Sequence, residues 1–173
     1  MKSSHRKAPS LRYTASTEPP DFRIRRALPD DSDILFEIWW QSARATHDFV
    51  SDRDLRKLAP QVRALGLANL DTWVLCAEDM APVGFLVMNG SEIDALFIAP
   101  EWIGRGGGSL LVRHAQSLHG RLTVEVNEQN EAGLAFYLAR GFSIVSRSPT
   151  DREGRPFPLL RLAQLPLRGT PAS

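Results

Sequence analysis

The sequence contains a single cysteine, Cys76, so no disulfide can form within the chain, and no group of Cys and His has zinc-ligand spacing. A resident metal is therefore not expected. No apolar run approaches the roughly 18–20 residues of a membrane span. The first residues carry Lys2, Arg6, Lys7 and Arg12 with no apolar stretch after them, so a secretory signal is not expected either, and cytoplasmic residence is the default. Charge of one sign is also missing. Twenty-one Lys and Arg against 20 Asp and Glu leave a net charge of +1, which gives no reason to expect a nucleic acid or a membrane as partner. What remains is 173 residues of ordinary globular composition, enough for one core and no second.

Residues 1–21 are Ser, Thr, Pro and basic side chains without apolar periodicity, and are expected to form a flexible basic tail. A single domain is expected over residues 22–165 and a flexible C-terminus over 166–173. Alternation at Phe22–Arg25 predicts a strand, and Ile34, Leu35, Ile38 and Trp39 mark a helix. A second stripe, Leu55, Leu58, Val62 and Leu65, contains Pro60, so a kinked or split helix is expected there. Three strands follow (Trp73–Glu78, Pro82–Met88, Glu92–Ile98), separated by Asp79-Met80-Ala81 and Asn89-Gly90, which predicts an antiparallel meander. Cys76 alternates with Val74 and is expected in the core. A helix from Gly106 to Leu118, a strand around Leu122, Val124 and Val126, a short helix from Ala132 to Arg140 and two closing strands complete the chain. The order β-α-α-β-β-β-α-β-α-β-β predicts an α+β fold.

Two constellations carry chemistry. The first is Ile103-Gly104-Arg105-Gly106-Gly107-Gly108-Ser109, four glycines within five residues directly ahead of a helix. Backbone N–H groups can converge there, and the helix N-terminus adds partial positive charge, which suits a phosphate or pyrophosphate. No Gly-Lys-Ser/Thr follows, so a P-loop is excluded. The dinucleotide fingerprint fails as well, since its third glycine would be Ser109 or Leu111. The second is Val126-Asn127-Glu128-Gln129-Asn130 leaving a strand, with Phe136-Tyr137 on the next helix and Gly141-Phe142 closing it. Tyr137 offers a phenol that can protonate a thiolate, or packs the helix on the sheet.

Glycine loop, Asn130, Tyr137 and Gly141-Phe142 in this order resemble the GNAT family of acetyl-CoA-dependent N-acetyltransferases, most closely its YjaB-type bacterial subgroup. Ala45-Thr46-His47-Asp48-Phe49, Ile93-Asp94-Ala95-Leu96-Phe97-Ile98, Val126–Glu131 and Pro158-Leu159-Leu160 share in it, so that it runs from about Phe22 to Leu162. The resemblance implies a mixed, mostly antiparallel sheet flanked by helices, and acetyl-CoA as acyl donor, with no metal. It implies that Leu96, Phe97 and Ile98 present backbone groups to the pantetheine and the thioester oxygen. Asn127 and Asn130 would hold the pantetheine arm, residues 103–109 the pyrophosphate, and Tyr137 would be the acid. Ile103 stands where the family has Gln or Arg, and Arg105 is the candidate to replace that charge.

An amine acceptor attacks as the free base, so a proton acceptor is needed. Glu92 and Asp94, two apart on a strand and so expected on one face, are candidates. So is His47, whose ordinary pKa near 6.5 suits a base at neutral pH, in the segment where the family forms part of its acceptor pocket; as a pair, His47-Asp48 could equally end a helix. His114 and His119 are expected to be structural. Trp39, Trp40, Phe49 and Pro156-Phe157-Pro158 could wall an acceptor cavity, with Trp39 expected in the core and Trp40 the better wall or interface. The expected function is acetyl transfer to a primary amine, of a small molecule or a protein lysine, by a monomer or homodimer. A CoA-binding sensor without turnover is the alternative from another class, and a nucleotide switch fits less well because no magnesium motif accompanies the loop.

Overall fold

The computed structural model describes residues 20–165. The expected basic tail, apart from Pro20 and Asp21, and the expected flexible stretch 166–173 lie outside the described residues. Eleven main elements follow in order: β1 (Arg23–Arg26), α1 (Ser32–Thr46), α2 (Asp52–Leu65), β2 (Asp71–Cys76), β3 (Pro82–Asn89), β4 (Glu92–Ile98), α3 (Gly107–His119), β5 (Thr123–Asn127), α4 (Glu131–Leu138), β6 (Phe142–Ser148) and β7 (Leu159–Gln164). The strands form one sheet in the order β1-β2-β3-β4-β5-β7-β6. Every neighbouring pair is antiparallel except β4 and β5, which the intervening helix α3 makes parallel.

Helix α1 buries Leu35, Ile38, Trp39, Ser42 and Ala43, the i, i+3, i+4, i+7, i+8 stripe of an amphipathic helix. Its start is fixed from β1. Arg25 grips Asp31 with two bonds of 2.7 and 2.9 Å, and Asp31 also accepts the Leu28 N–H at 2.7 Å. The bond to Arg25, foremost, holds the Asp31 carboxyl below the usual carboxylate range. Ser51 caps α2 by accepting the Asp54 N–H at 3.1 Å, and Gly66 ends it at φ 60°. Helix α2 is neither split nor interrupted at Pro60. Pro60 and Arg56 are both exposed, so the Arg56 carbonyl that loses its partner meets water.

The two sheet faces carry separate cores. Helices α1 and α2 cover one that includes Val74, Cys76 and Phe85, all without solvent exposure. Helix α3 covers the other, which includes Leu75, Leu86 and Leu111, and Tyr137 and Phe142 close it. Helix α3 lies close enough to the sheet that only glycine fits at its first residue. A Cβ at Gly107 would fall 2.4 Å from Leu75 Cδ2, in a side chain with no room to move. Gly107→Val is therefore expected to destabilise the fold by about 1–3 kcal/mol, measured as a lowered urea midpoint at an unchanged m-value. No helix among the described residues is long and apolar enough to cross a membrane.

Candidate active site

The site begins where the sheet comes apart. Strands β4 and β5 pair only at Glu92↔Thr123 and Ile93↔Val124, and then separate. A bulge in β4 coincides with the separation: Val87 pairs with Ala95 and Met88 with Ile93, which leaves Asp94 without a partner. A bulge of this kind bends a strand and re-aims its side chains. Ile93 and Leu96 consequently both pack on the α3 side, whereas Ala95 and Phe97 pack on the α1 side. Beyond Ile93 the β5-facing backbone edge of β4 has no strand to bond. The wedge so formed is a groove of about 520 Å³ lined by residues 93–98 of β4, 124–127 of β5, the loop before α3, and α4.

One end of the groove is the N-terminus of α3. Gly104 (φ 80°) and Gly106 (φ 89°) adopt left-handed backbone with open space where a side chain would stand. The first helical bond is Leu110 N–H to the Gly106 carbonyl at 3.1 Å, which leaves the N–H groups ahead of Leu110 without helix partners. Ile103, Gly104, Gly106, Gly108 and Ser109 line the groove. Gly107 does not; its place is against Leu75 and Phe22, so its role is packing. Arg105 is also outside the groove, its guanidinium 4.9 Å from the centre of the Trp102 ring. The cation that does line it is Arg140, which follows α4. Its guanidinium lies 3.5 Å from the centre of the Phe136 ring and donates from Nε to Ser109 Oγ at 3.1 Å. Open glycines, unpaired N–H groups and an arginine without a carboxylate partner fit a pyrophosphate.

Further along the groove stand Asn127, Asn130 and Tyr137. Asn130 Oδ1 accepts the Gly133 N–H at 2.9 Å and caps α4, so only its amide nitrogen is left for a ligand. Tyr137 is 8% exposed, held edge-on by Phe136 and Phe142 at ring distances of 5.0 and 5.3 Å. Burial pushes its phenol well above the usual value, so the hydroxyl keeps its proton.

On the α1 side lies a second cavity of about 830 Å³, lined among others by Trp39, Phe49, Leu55, Phe157 and Leu159. The buried Trp39 contributes to this wall. Trp40 does not, and instead lies beneath the Arg44 guanidinium, 5.6 Å away. His47, Ile93, Asp94, Phe97, Glu125 and Asn127 line both spaces and so mark their junction.

The three candidate bases differ in what already binds them. Glu92 lines the second cavity but is held by Arg152 at 2.9 Å and Arg161 at 3.9 Å. Asp94, displaced by the bulge and exposed, has no ion pair among the described residues. Burial, then the negative charges of Glu92 and Glu125, raise its carboxyl above the usual carboxylate value. His47 ends α1 and packs against Phe49 and Phe97 at ring distances of 5.4 and 6.0 Å. Thr46 Oγ1 donates its one proton to the Ser42 carbonyl at 2.8 Å and lies 2.9 Å from His47 Nδ1. Thr46 must therefore accept from Nδ1–H, which leaves the lone pair on Nε2. Burial lowers the His47 pKa below 6.5 and keeps the ring neutral at pH 7, against a smaller opposing effect of Asp48.

His114 faces Trp73 at a ring distance of 4.2 Å on the far side of α3, away from both spaces. Arg140 and Thr46 escaped the sequence reading. Arg140 had one signal, its i, i+4 spacing from Phe136 beside the helix-ending Gly141; Thr46 had its place in the segment Ala45–Phe49 that shares in the family resemblance, and nothing that pointed to the hydroxyl.

Residues 69–144 match the family model described as an acetyltransferase (GNAT) domain. The chain is 44% identical over 140 residues to the peptidyl-lysine N-acetyltransferase YjaB of Escherichia coli, covering 81% of this chain and 95% of that protein. The solution structure of apo-form YjaB from Escherichia coli superposes with a TM-score of 0.77 at 42% identity, covering 83% of this chain and 97% of that one. The same fold is found in the PaiA N-acetyltransferase of Thermoplasma acidophilum, solved in complex with coenzyme A, with a TM-score of 0.70 at 19% identity over 83% of this chain and 98% of that one.

Proposed function

Because this chain belongs to the GNAT family and is an acetyl-CoA-dependent N-acetyltransferase, we propose that its acceptor is a lysine side chain of a protein, with His47 as general base and Tyr137 as general acid. The observation that carries this reading is the junction at His47, Asp94 and Asn127, where the groove meets the second cavity. Acetyl-CoA supplies an activated acyl carbon, as a thioester. Open glycines, the α3 N-terminus and Arg140 suit its pyrophosphate, and the unpaired edge of β4 suits its amide-bearing arm.

The second cavity supports the acceptor class. Phe49, Phe97 and Phe157 offer an apolar wall to an aliphatic stem, and the unpaired Asp94 offers charge to an ammonium. The homologous YjaB, named a peptidyl-lysine N-acetyltransferase, points the same way. The ammonium first releases a proton to solvent, and as the free amine nitrogen then bonds to the acyl carbon, His47 Nε2 accepts the second proton it loses. As the carbon–sulfur bond breaks, the Tyr137 hydroxyl gives its proton to the departing sulfur, and solvent restores it. Backbone N–H groups on the unpaired edge of β4 beyond the bulge would donate to the acyl oxygen.

A pH profile tests the base. Neutral His47 is active and protonated His47 is not, so kcat/KM is expected to rise with pH and to bend at an apparent pKa below 6.5. His47→Gln is expected to lower kcat about a hundredfold and to remove the bend. Asp94→Asn should keep the bend and raise KM for a lysine peptide. A bend that survives in His47→Gln would take that residue out of the mechanism.

A further inference from the structure

A second cation, Arg113, adjoins the glycine end of the groove beside Arg140 and lies beyond the groups assigned to a pyrophosphate. Ser109, Arg113 and Gln116 recur at i, i+4 and i+7 along α3 and so share a stripe. With Val112, Ala139 and Arg140 they line a shallow side pocket of about 380 Å³. Arg140 and Ser109 belong to both spaces, so the pocket continues the groove outward from the α3 N-terminus.

The pocket brings two guanidinium groups together. Their mutual repulsion contributes to lowering the Arg140 pKa, after desolvation. Among the described residues neither Arg113 nor Arg140 has a carboxylate within ion-pair distance. Several other arginines of this fold are paired; Arg25, Arg147, Arg152 and Arg155 each hold an acid at 2.9 Å or less. Arg140 is also pre-oriented. Its contacts with Ser109 Oγ and the Phe136 carbonyl use three of the five N–H groups, and stacking on Phe136 fixes the plane. Two N–H groups remain for a ligand. Two like charges held together, one of them locked in place, are stabilised by an anion carrying more than one charge.

We propose that Arg113 and Arg140 form a subsite for a phosphate monoester, the 3′-phosphate on the nucleotide end of CoA, and that the enzyme thereby selects CoA over its 3′-dephospho form. This rests on the acetyl-CoA reading of the groove. A monoester carries about 1.5 to 2 negative charges at neutral pH and three acceptor oxygens, which matches paired guanidinium groups better than a diester does. Arg113 is exposed, on the solvent side of α3, so its replacement leaves both cores intact.

Titration calorimetry with CoA and 3′-dephospho-CoA on wild type and Arg113→Gln tests the subsite. Wild type is expected to bind CoA about tenfold more tightly than dephospho-CoA, the worth of one charge-assisted contact. Arg113→Gln should remove most of that preference by weakening CoA alone, and Arg113→Glu should weaken CoA further. Raising ionic strength should narrow the wild-type preference. Equal wild-type affinities for the two ligands, or equal weakening of both in Arg113→Gln, would overturn the subsite while leaving the acetyl-CoA reading in place. Failure of either ligand to bind wild type would overturn both.

Discussion

Gly108→Glu is expected to lower CoA affinity by about a hundredfold or more while the protein stays folded. Gly108 is the second residue of α3 and lines the groove at the end proposed to take the pyrophosphate. The substitution acts there twice. A Cβ would lie 3.0 and 3.1 Å from two atoms of the Phe136 ring, which itself lines the groove and carries Arg140 above it. The added carboxylate would then compete for the N–H groups that a pyrophosphate needs. Two like charges 4 Å apart near a protein surface oppose each other by about 4 kcal/mol, enough for the stated loss. Gly108→Gln separates the causes, since it adds the bulk without the charge and should lose less. Calorimetry measures both, and a circular-dichroism melt reports folding. Unchanged CoA affinity in Gly108→Glu would move the pyrophosphate site away from α3. Gly107 shows why neighbouring glycines are not interchangeable: one turns its hydrogen toward Leu75 and the other toward Phe136, so the first answers to stability and the second to binding.

Element order was legible because each element is amphipathic at its own period, and strand β4 was read with its observed bounds, Glu92–Ile98. The bulge at Asp94 was not legible. It arises from register against β3, and nothing in Ile93-Asp94-Ala95 distinguishes a bulged residue from an ordinary one. Glu92 and Asp94, expected on one face, both line the second cavity, but their partners differ: Glu92 is bound by Arg152, from the loop before β7, and by Arg161 of β7, and among the described residues Asp94 is not ion-paired. The glycine loop and the helix behind it were legible, yet composition could not separate Gly107 from Gly108. The missing charge at Ile103 was sought next door at Arg105, and the structure places a cation instead at Arg140, 35 residues beyond, through the packing of α4 on α3. Trp39 is in the core as expected and also walls the cavity, because the stripe of α1 faces both, whereas Trp40, expected as the better wall, does not line it.

Tyr137→Phe is expected to lower kcat by between about a hundredfold and ten-thousandfold, the range of a lost general acid, with CoA affinity nearly unchanged. The ring is fixed by Phe136 and Phe142 and is part of the core on the α3 side, so Phe preserves packing and removes only the hydroxyl. Burial is what makes the phenol useful. By disfavouring the phenolate it keeps the proton in place across the working pH range, so a phenol acting as the acid would be loaded at every turnover, and no loss of activity from Tyr137 ionisation is expected below pH 10. The same burial makes the phenolate a costly product, so a proton given to the sulfur would have to move in step with carbon–sulfur cleavage and be replaced from solvent. The variant should therefore suffer less with an acyl donor whose thiol has a low pKa, because such a leaving group departs without the proton. Stopped-flow acetylation of a lysine peptide from acetyl-CoA and from an activated thioester analogue gives the two rates. A Phe variant as fast as wild type with acetyl-CoA would exclude the phenol from the chemistry. A variant slowed equally with both donors would mean that Tyr137 positions the arm of the ligand and does not protonate the sulfur.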